Sequence, residues 1–273
     1  MRLFGPDGSP HLGPVAMLAA VLTMCLPHTS SASSCRQALI LALDVSLSVD
    51  GRDFTLQRQG LSSALLNPAV QHAMLHGPDH MELAVFEWSG SFDQHLIVDW
   101  TVIDSPATLQ RIALTLLEAQ QETRSGRTAL GAALTHARDL LLDRSHCETL
   151  TLDVSGDGVN NSGYAPETVK NDLERLRIGV NALVIEATPD QQFEDEPSVG
   201  QLADYFYNNV ITGPSAFVEV IIGFDAYQEA IQRKLLRELV PSMVRHPEPA
   251  TDPGPDRRFA RATQSRQSMR FSR

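Results

Sequence analysis

ALILALDVSLSVD, residues 38–50, decides how this chain folds. ALILAL is an unbroken apolar run, which suits a strand covered on both faces; a half-exposed strand would alternate apolar and polar residues. The run stops at Asp44, and Ser46, Ser48 and Asp50 follow at every second position. A carboxylate and two hydroxyls therefore stand at the mouth of a buried strand.

Beyond this stretch, strand-like and helix-like segments alternate. RDFTLQRQGLSSALL (52–66) places Phe54, Leu56, Leu61, Leu65 and Leu66 at helical spacing, and Pro68 ends or bends that helix. MELAVFEW (81–88) and QHLIVDWTVI (94–103) read as strands joined by SGSFD, a hairpin-length loop containing Gly90. SPATLQRIALTLLEAQ (105–120) reads as a helix with Ser105 as N-cap and Pro106 in its first turn, and TALGAALTHARDLLLD (128–143) as another. The strand TLTLDVS (149–155), a helix over 166–177, the strand NALVIEA (181–187), the helical SVGQLADYFYNNV (198–210), the strand AFVEVII (216–222) and the helix FDAYQEAIQRKLLREL (224–239) complete the series. This order predicts an α/β fold with a doubly wound, mainly parallel six-stranded sheet, one antiparallel edge strand and helices on both faces. Such sheets bind ligands beyond the carboxyl ends of their strands, where the strand order reverses.

The chain has 273 residues, enough for one domain, placed over 36–240, plus end segments. With 33 acidic against 22 basic residues, and Lys170 and Lys234 as the only lysines, the net charge is −11. Phosphates would be repelled, which argues against nucleic acid as a partner of the main body.

Both ends differ in composition from the middle. Residues 1–32 carry Arg2, the apolar PVAMLAAVLTMCL (14–26), and the small residues Ser30 and Ala32, the pattern of a cleaved secretory signal. The apolar stretch is shorter than the roughly 20 residues that span a bilayer, so no integral membrane segment is expected in the mature chain. An uncleaved anchor is the alternative. Residues 247–273 place six arginines after Pro and Gly without apolar periodicity, the composition of a disordered basic tail.

Removal of the signal takes Cys25 with it and leaves Cys35 and Cys147, each just ahead of a strand. If those strands are parallel neighbours, their entry ends share one edge of the sheet, close enough for a disulfide in an oxidising compartment. Lipidation of Cys35 is the competing reading, but SASSC lacks the apolar residue usual three positions before a lipoprotein cysteine.

Three polar clusters fall on the carboxyl edge of this sheet: Asp44, Ser46 and Ser48 after the first strand; SGRT (125–128), where Thr128 opens a helix; and DVSGDG (153–158), where Asp157 follows a strand. Carboxylate and hydroxyl oxygens, with no His or Cys among them, suit a hard divalent cation such as Mg²⁺ or Mn²⁺. So few anionic ligands leave the ion with net positive charge, able to accept a carboxylate from a partner.

DVSLS resembles the DxSxS motif of von Willebrand factor A domains, whose metal-ion-dependent adhesion site is completed by a threonine before a later helix and an aspartate after the fourth strand. Thr128 and Asp157 fill those places in order. FEWSG, DVSGDGVNNSG, FYNNVITGPSAFVEV and AIQRKLLREL resemble, more narrowly, a bacterial branch described as a domain of unknown function (DUF1194). The resemblance implies metal-dependent binding of a protein ligand through an exposed Asp or Glu. It also implies that Ser46, Ser48 and Thr128 contact the ion directly, and that Asp44 and Asp157 do so directly or through water.

Each cluster alone also fits a local role: Ser48 or Asp50 capping the helix near Arg52, Thr128 capping the next, and D-G as a turn. Glu87, at the end of the second strand, is either a support for the site or a carboxylate on its rim. Asn160 and Asn161 either orient the Asp157 loop or form its turn. His72, His76 and His80 are four apart but interrupted by Gly77 and Pro78, which denies the three a shared helical face. Trp88 and Trp100 flank the hairpin as packing residues. EATPDQQFEDEPS (186–198) reads as a solvated acidic loop, or a weak calcium or basic-partner surface.

Ser155 lacks the G-x-S-x-G elbow of a nucleophile, and neither a general base nor a phosphate loop accompanies the cation site. The expected molecule is therefore a secreted, periplasmic binding domain rather than an enzyme. The alternatives are a metal-independent structural domain of the envelope with a degenerate site, and a metal-assisted phosphoester hydrolase.

Overall fold

A computed structural model describes residues 34–121, 126–188 and 200–243. The segments 1–32 and 247–273, Ser125, and residues 189–198 of the acidic stretch lie outside the described residues.

Strands β1 (Cys35–Asp44), β2 (His80–Trp88), β3 (Gln94–Ile103), β4 (Cys147–Gly156), β5 (Ile178–Glu186) and β6 (Val218–Ile222) form one sheet in the order β3-β2-β1-β4-β5-β6. Every neighbouring pair is parallel except β2 with β3, so β3 is the antiparallel edge strand. The helices are α1 (Gly51–Leu66), α2 (Pro68–Leu75), α3 (Pro106–Glu118), α4 (Leu130–Leu142), α5 (Pro166–Arg175), α6 (Gln201–Asn209) and α7 (Tyr227–Met243). After β1 the chain adds strands on one side, and after β3 it crosses to add β4 on the other. The order therefore reverses between β1 and β4, which opens a crevice at their carboxyl ends.

β1 is buried along its whole length, as its continuous apolar run requires. Leu39, Leu41 and Leu43 pack on one face against residues of α1, α2, α3 and α7, while Ala38, Ile40 and Ala42 face residues of α4, α5 and α6. Burying each leucine is worth about 1.5–3 kcal/mol. Arg36 is buried at the start of the strand, and its Nη2 donates to the Ala73 and Met74 carbonyls at 2.8 and 2.6 Å, closing the last turn of α2. Among the described residues no helix is long and apolar enough to cross a membrane.

Cys35 and Cys147 are register partners on β1 and β4 and are joined by a disulfide, with their Cα atoms 4.5 Å apart. Ser105 caps α3 by accepting from Thr108 N, as its sequence suggests. Pro68 does more than stop a helix: Asn67 accepts from Ala69 N and caps α2, with Pro68 in its first turn, where a missing N–H costs nothing. The rings of His72 and His76 consequently stack at 4.3 Å at the end of α2, whereas His80 belongs to β2.

Candidate metal centre

The site begins where β1 runs out. Asp44 is register partner to Trp88, and Val45 N donates to the Trp88 carbonyl at 2.9 Å, so the chain leaves the sheet only after Asp44 is fixed. The turn that follows is built by the motif itself. Ser46 N donates to Asp44 Oδ1 at 2.8 Å, and Val49 N to the Ser46 carbonyl at 3.0 Å. Gln57 of α1, fully buried, donates from Nε2 to the Asp44 carbonyl at 3.0 Å. This turn brings Ser46 Oγ and Ser48 Oγ to 3.2 Å and turns Leu47 outward, 81% exposed.

Ser48 Oγ then donates to Asp157 Oδ1 at 2.7 Å. The bond joins the first and third sequence clusters across the crevice between β1 and β4. Capping of α1 falls to Asp50, whose Oδ1 accepts from Arg52 N at 2.7 Å and Asp53 N at 2.9 Å. Helix α4 is capped at Ala129 without any side-chain bond, so Thr128 does not cap it.

Thr128 is 5% exposed and clamped by one residue: Thr128 N donates to Asn161 Oδ1 at 2.9 Å, and Asn161 N donates back to the Thr128 carbonyl at 2.9 Å. Asn160 supports the same loop, its Oδ1 accepting from Gly131 N at 3.3 Å and its N–H donating to Tyr205 Oη at 3.3 Å. A Cβ placed on Gly158 would lie 3.5 Å from Thr128 Oγ1, so this hydroxyl faces the Asp157 loop. Asp44, Ser46, Ser48, Thr128 and Asp157 thus converge on one crevice.

Asp44 is 1% exposed against a wall of Trp88 and Phe206, close enough that a Cβ on Gly156 would stand 3.3 Å from its Oδ2 and 3.1 Å from Phe206 Cζ. Burial, then the nearby charge of Asp157, pushes the Asp44 carboxyl well above the ordinary carboxylate range, against the pull of hydrogen bonds from Ser46 and from the Asp157 backbone N–H. Asp44 Oδ2 is buried with no hydrogen-bond partner. An orphaned buried oxygen beside a second carboxylate is costly unless a proton or a cation meets it. An all-oxygen donor set fits a hard divalent ion.

Glu87 departs from the rim position considered above. It is fully buried, register partner to Leu43, with its charge beside the Arg58 guanidinium, one residue below the level of Asp44. Trp88 is likewise fully buried, and Trp100 packs under the Arg144 guanidinium at 5.1 Å. Glu186 is 4% exposed and accepts from Gly200 N at 2.7 Å, so it closes the α6 entry instead of joining an acidic surface. Gly156 and Tyr205 are participants that the sequence patterns did not single out. Asn161, read there as either loop orienter or turn former, acts through its clamp on Thr128.

The family model described as "Protein of unknown function (DUF1194)" matches residues 34–243. No curated protein matches the sequence. Among solved structures, proximal thread matrix protein 1 from the mussel byssus is 16% identical with a TM-score of 0.54, covering 76% of this chain and 46% of that one. The same mussel protein "with zinc occupied MIDAS motif" is 17% identical with a TM-score of 0.53, covering 75% and 46%. The pilus adhesin SpaC from Lactobacillus rhamnosus GG is 14% identical with a TM-score of 0.56, covering 77% and 31%. The chain spans less than half the length of these proteins, and what it shares with them is the fold.

Proposed function

We propose that this chain, which belongs to the DUF1194 family and has the von Willebrand factor A fold, binds Mg²⁺ or Mn²⁺ at the crevice between β1 and β4 and through it an acidic group of a protein partner. Asp44 Oδ2, buried and without a hydrogen-bond partner inside a cluster of carboxylate and hydroxyl oxygens, carries this reading. Ser46, Ser48 and Thr128 would supply neutral oxygens, with Asp44 and Asp157 holding the ion directly or through water. The bound ion supplies a Lewis-acidic position for one carboxylate oxygen of the partner.

The rim suits a protein surface better than a small anion. Leu47 is 81% and Phe92, in the β2–β3 hairpin, 97% exposed. The hairpin adjoins the site loops: Ala129 N donates to the Ser89 carbonyl at 2.7 Å, and Ser91 Oγ lies 3.3 Å from Ser162 Oγ. A hydrolase would need a base beside the ion. His95 reaches the same edge of the sheet, but on β3, two strands from β1.

Residues 1–32 are proposed to direct export, and the disulfide suits an oxidising, periplasmic destination. The test is calorimetric titration with Mg²⁺ and Mn²⁺ of wild type and Asp44→Ala. Saturable binding at one site, abolished in the variant, is the expected result. A wild type that binds neither ion removes the reading and leaves a structural domain with a degenerate site. Metal-dependent turnover of a phosphoester, lost in the same variant, would install the hydrolase instead.

A further inference from the structure

The opposite edge of the sheet holds a second set of metal-type ligands, independent of the first. Cys35, Glu82, His146 and Cys147 each bring one ligand atom within 4.8 Å of the others. The strands explain the cluster. Cys35 and Cys147 are register partners at the entry ends of β1 and β4, Glu82 of β2 pairs with Ala38 of β1, and His146 immediately precedes β4. Asp44 and Cys35 end the same 10-residue strand, so at ~3.3 Å per residue the two sites are separated by nearly the full height of the sheet.

We propose that reduction of the Cys35–Cys147 disulfide converts this cluster into a closed Zn²⁺ site with Cys35, Cys147, His146 and Glu82 as its four ligands. Two thiolates, one imidazole and one carboxylate are a tetrahedral zinc set, softer than the all-oxygen crevice at the other edge. In the oxidised chain both sulfurs are bonded to each other and offer no thiolate, so the disulfide gates the site.

The surroundings are already arranged for a cation. His146 Nε2 lies 3.0 Å from Glu82 Oε1, a pair between which Zn²⁺ would replace a shared proton. Arg144 Nε lies 2.9 Å from the other carboxylate oxygen, Oε2, and its guanidinium is held over Trp100, so Arg144 takes Oε2 and leaves Oε1 beside His146. Two thiolates and a carboxylate exceed the charge of Zn²⁺ by one negative unit, which Arg144 offsets. His80 Nε2 stands 3.5 Å from Glu82 Oε1, outside the set of four, and helps to fix the carboxylate. The Cα atoms of the two cysteines are 4.5 Å apart, and side-chain rotation carries the sulfurs to the separation of ~3.8 Å that two Zn–S bonds demand.

The chemistry balances with a dithiol reductant of the thioredoxin class. It transfers two electrons and two protons, the S–S bond breaks, two thiols form, and the reductant leaves as a disulfide. Zn²⁺ then displaces the two thiol protons as two Zn–S bonds form.

The experiment uses the full chain carrying Cys25→Ser, which leaves only the two strand cysteines, and Asp44→Ala, which silences the other site. The chain is treated with a phosphine reductant and titrated with Co²⁺. One equivalent is expected to produce a thiolate-to-cobalt charge-transfer band and the visible bands of a tetrahedral ion, both erased by Zn²⁺ and absent from the oxidised chain. His146→Ala and Glu82→Gln should each weaken the interaction by about tenfold or more. The proposal is overturned if the reduced chain gives no tetrahedral spectrum, if the spectrum survives both substitutions unchanged, or if circular dichroism shows that reduction unfolds the chain.

Discussion

Ser48 Oγ donates to Asp157 Oδ1 at 2.7 Å, although the two residues are 109 positions apart. That bond holds the loop after β1 against the loop after β4, and both of its atoms belong to the proposed ligand set. A serine serving only as a helix cap would point at backbone N–H groups, a task that Asp50 performs instead. Ser48→Ala should therefore weaken Mn²⁺ binding by about tenfold, equivalent to ~1.4 kcal/mol, while Asp50→Ala lowers stability by about 1 kcal/mol and leaves the affinity alone. Calorimetric titration and urea unfolding of both variants check the split. Unchanged Mn²⁺ affinity in Ser48→Ala would remove that residue from the site.

The two glycines that flank Asp157 should respond differently to a methyl group. At Gly156 a Cβ would stand 3.1 Å from Phe206 Cζ and 3.3 Å from Asp44 Oδ2, tighter than ordinary contact and against a ring that has little room to move. At Gly158 it would meet Thr128 Oγ1 at an unremarkable 3.5 Å. Gly156→Ala is expected to cost about 1–3 kcal/mol and to weaken metal binding by displacing Asp44, with Gly158→Ala within about 0.5 kcal/mol of wild type. Equal effects from the two substitutions in a thermal melt would mean that the wall behind Asp44 is not tightly packed.

The sheet was legible because its strands are buried on both faces, so β1 announces itself as a continuous apolar run and β3 keeps the bounds 94–103 that its sequence suggests. The start of β1 was not: Arg36 and Gln37 read as polar, yet Arg36 Nη2 donates to the Ala73 and Met74 carbonyls and Gln37 Nε2 to Thr151 Oγ1, partners that no local pattern reveals. α2 was hidden for a different reason, since Pro68 signals an end unless Asn67 caps the helix that begins there. At the site, residues that terminate strands could be seen in sequence. Asn160 and Asn161 could be seen as candidates to orient the Asp157 loop, but their partners could not, because the Asn161 clamp reaches back 33 residues and the bond from Asn160 N to Tyr205 spans 45.

A buried charge cluster sets a pH dependence. Lys234 Nζ lies 2.5 Å from Asp153 Oδ1 and 2.7 Å from Glu238 Oε1, and Asn181 Nδ2 donates to the same Glu238 oxygen at 2.7 Å. One cation faces two carboxyl groups. Burial first, and then the Asp153 charge, push the Glu238 carboxyl from 4.5 up to about 8. Between those values the folded chain holds a proton that the unfolded chain has released, so stability from this group is full below about pH 4.5 and is lost as pH rises through 8. Melting temperatures from about pH 6 to pH 9 should fall more steeply for wild type than for Glu238→Gln, whose amide carries no titratable proton. Parallel curves would show that Glu238 does not hold the proton.

The disulfide closes a loop across a sequence separation of 112 residues, long enough for a chain-entropy gain near the upper end of what disulfides deliver. Yet Cys35 and Cys147 join strands that already pair along β1 and β4, so part of the constraint duplicates the sheet. Replacing both by Ala, in the Cys25→Ser background, should lower the unfolding free energy by about 2–4 kcal/mol, read from urea midpoints against the oxidised parent. A domain of ordinary stability, about 5–15 kcal/mol, survives that loss, which is also what a reduced, zinc-loaded form requires. Thiol titration of the unreduced parent in denaturant should find no free thiol. Two reactive thiols there would refute the bridge, and with it the gate on the second metal site.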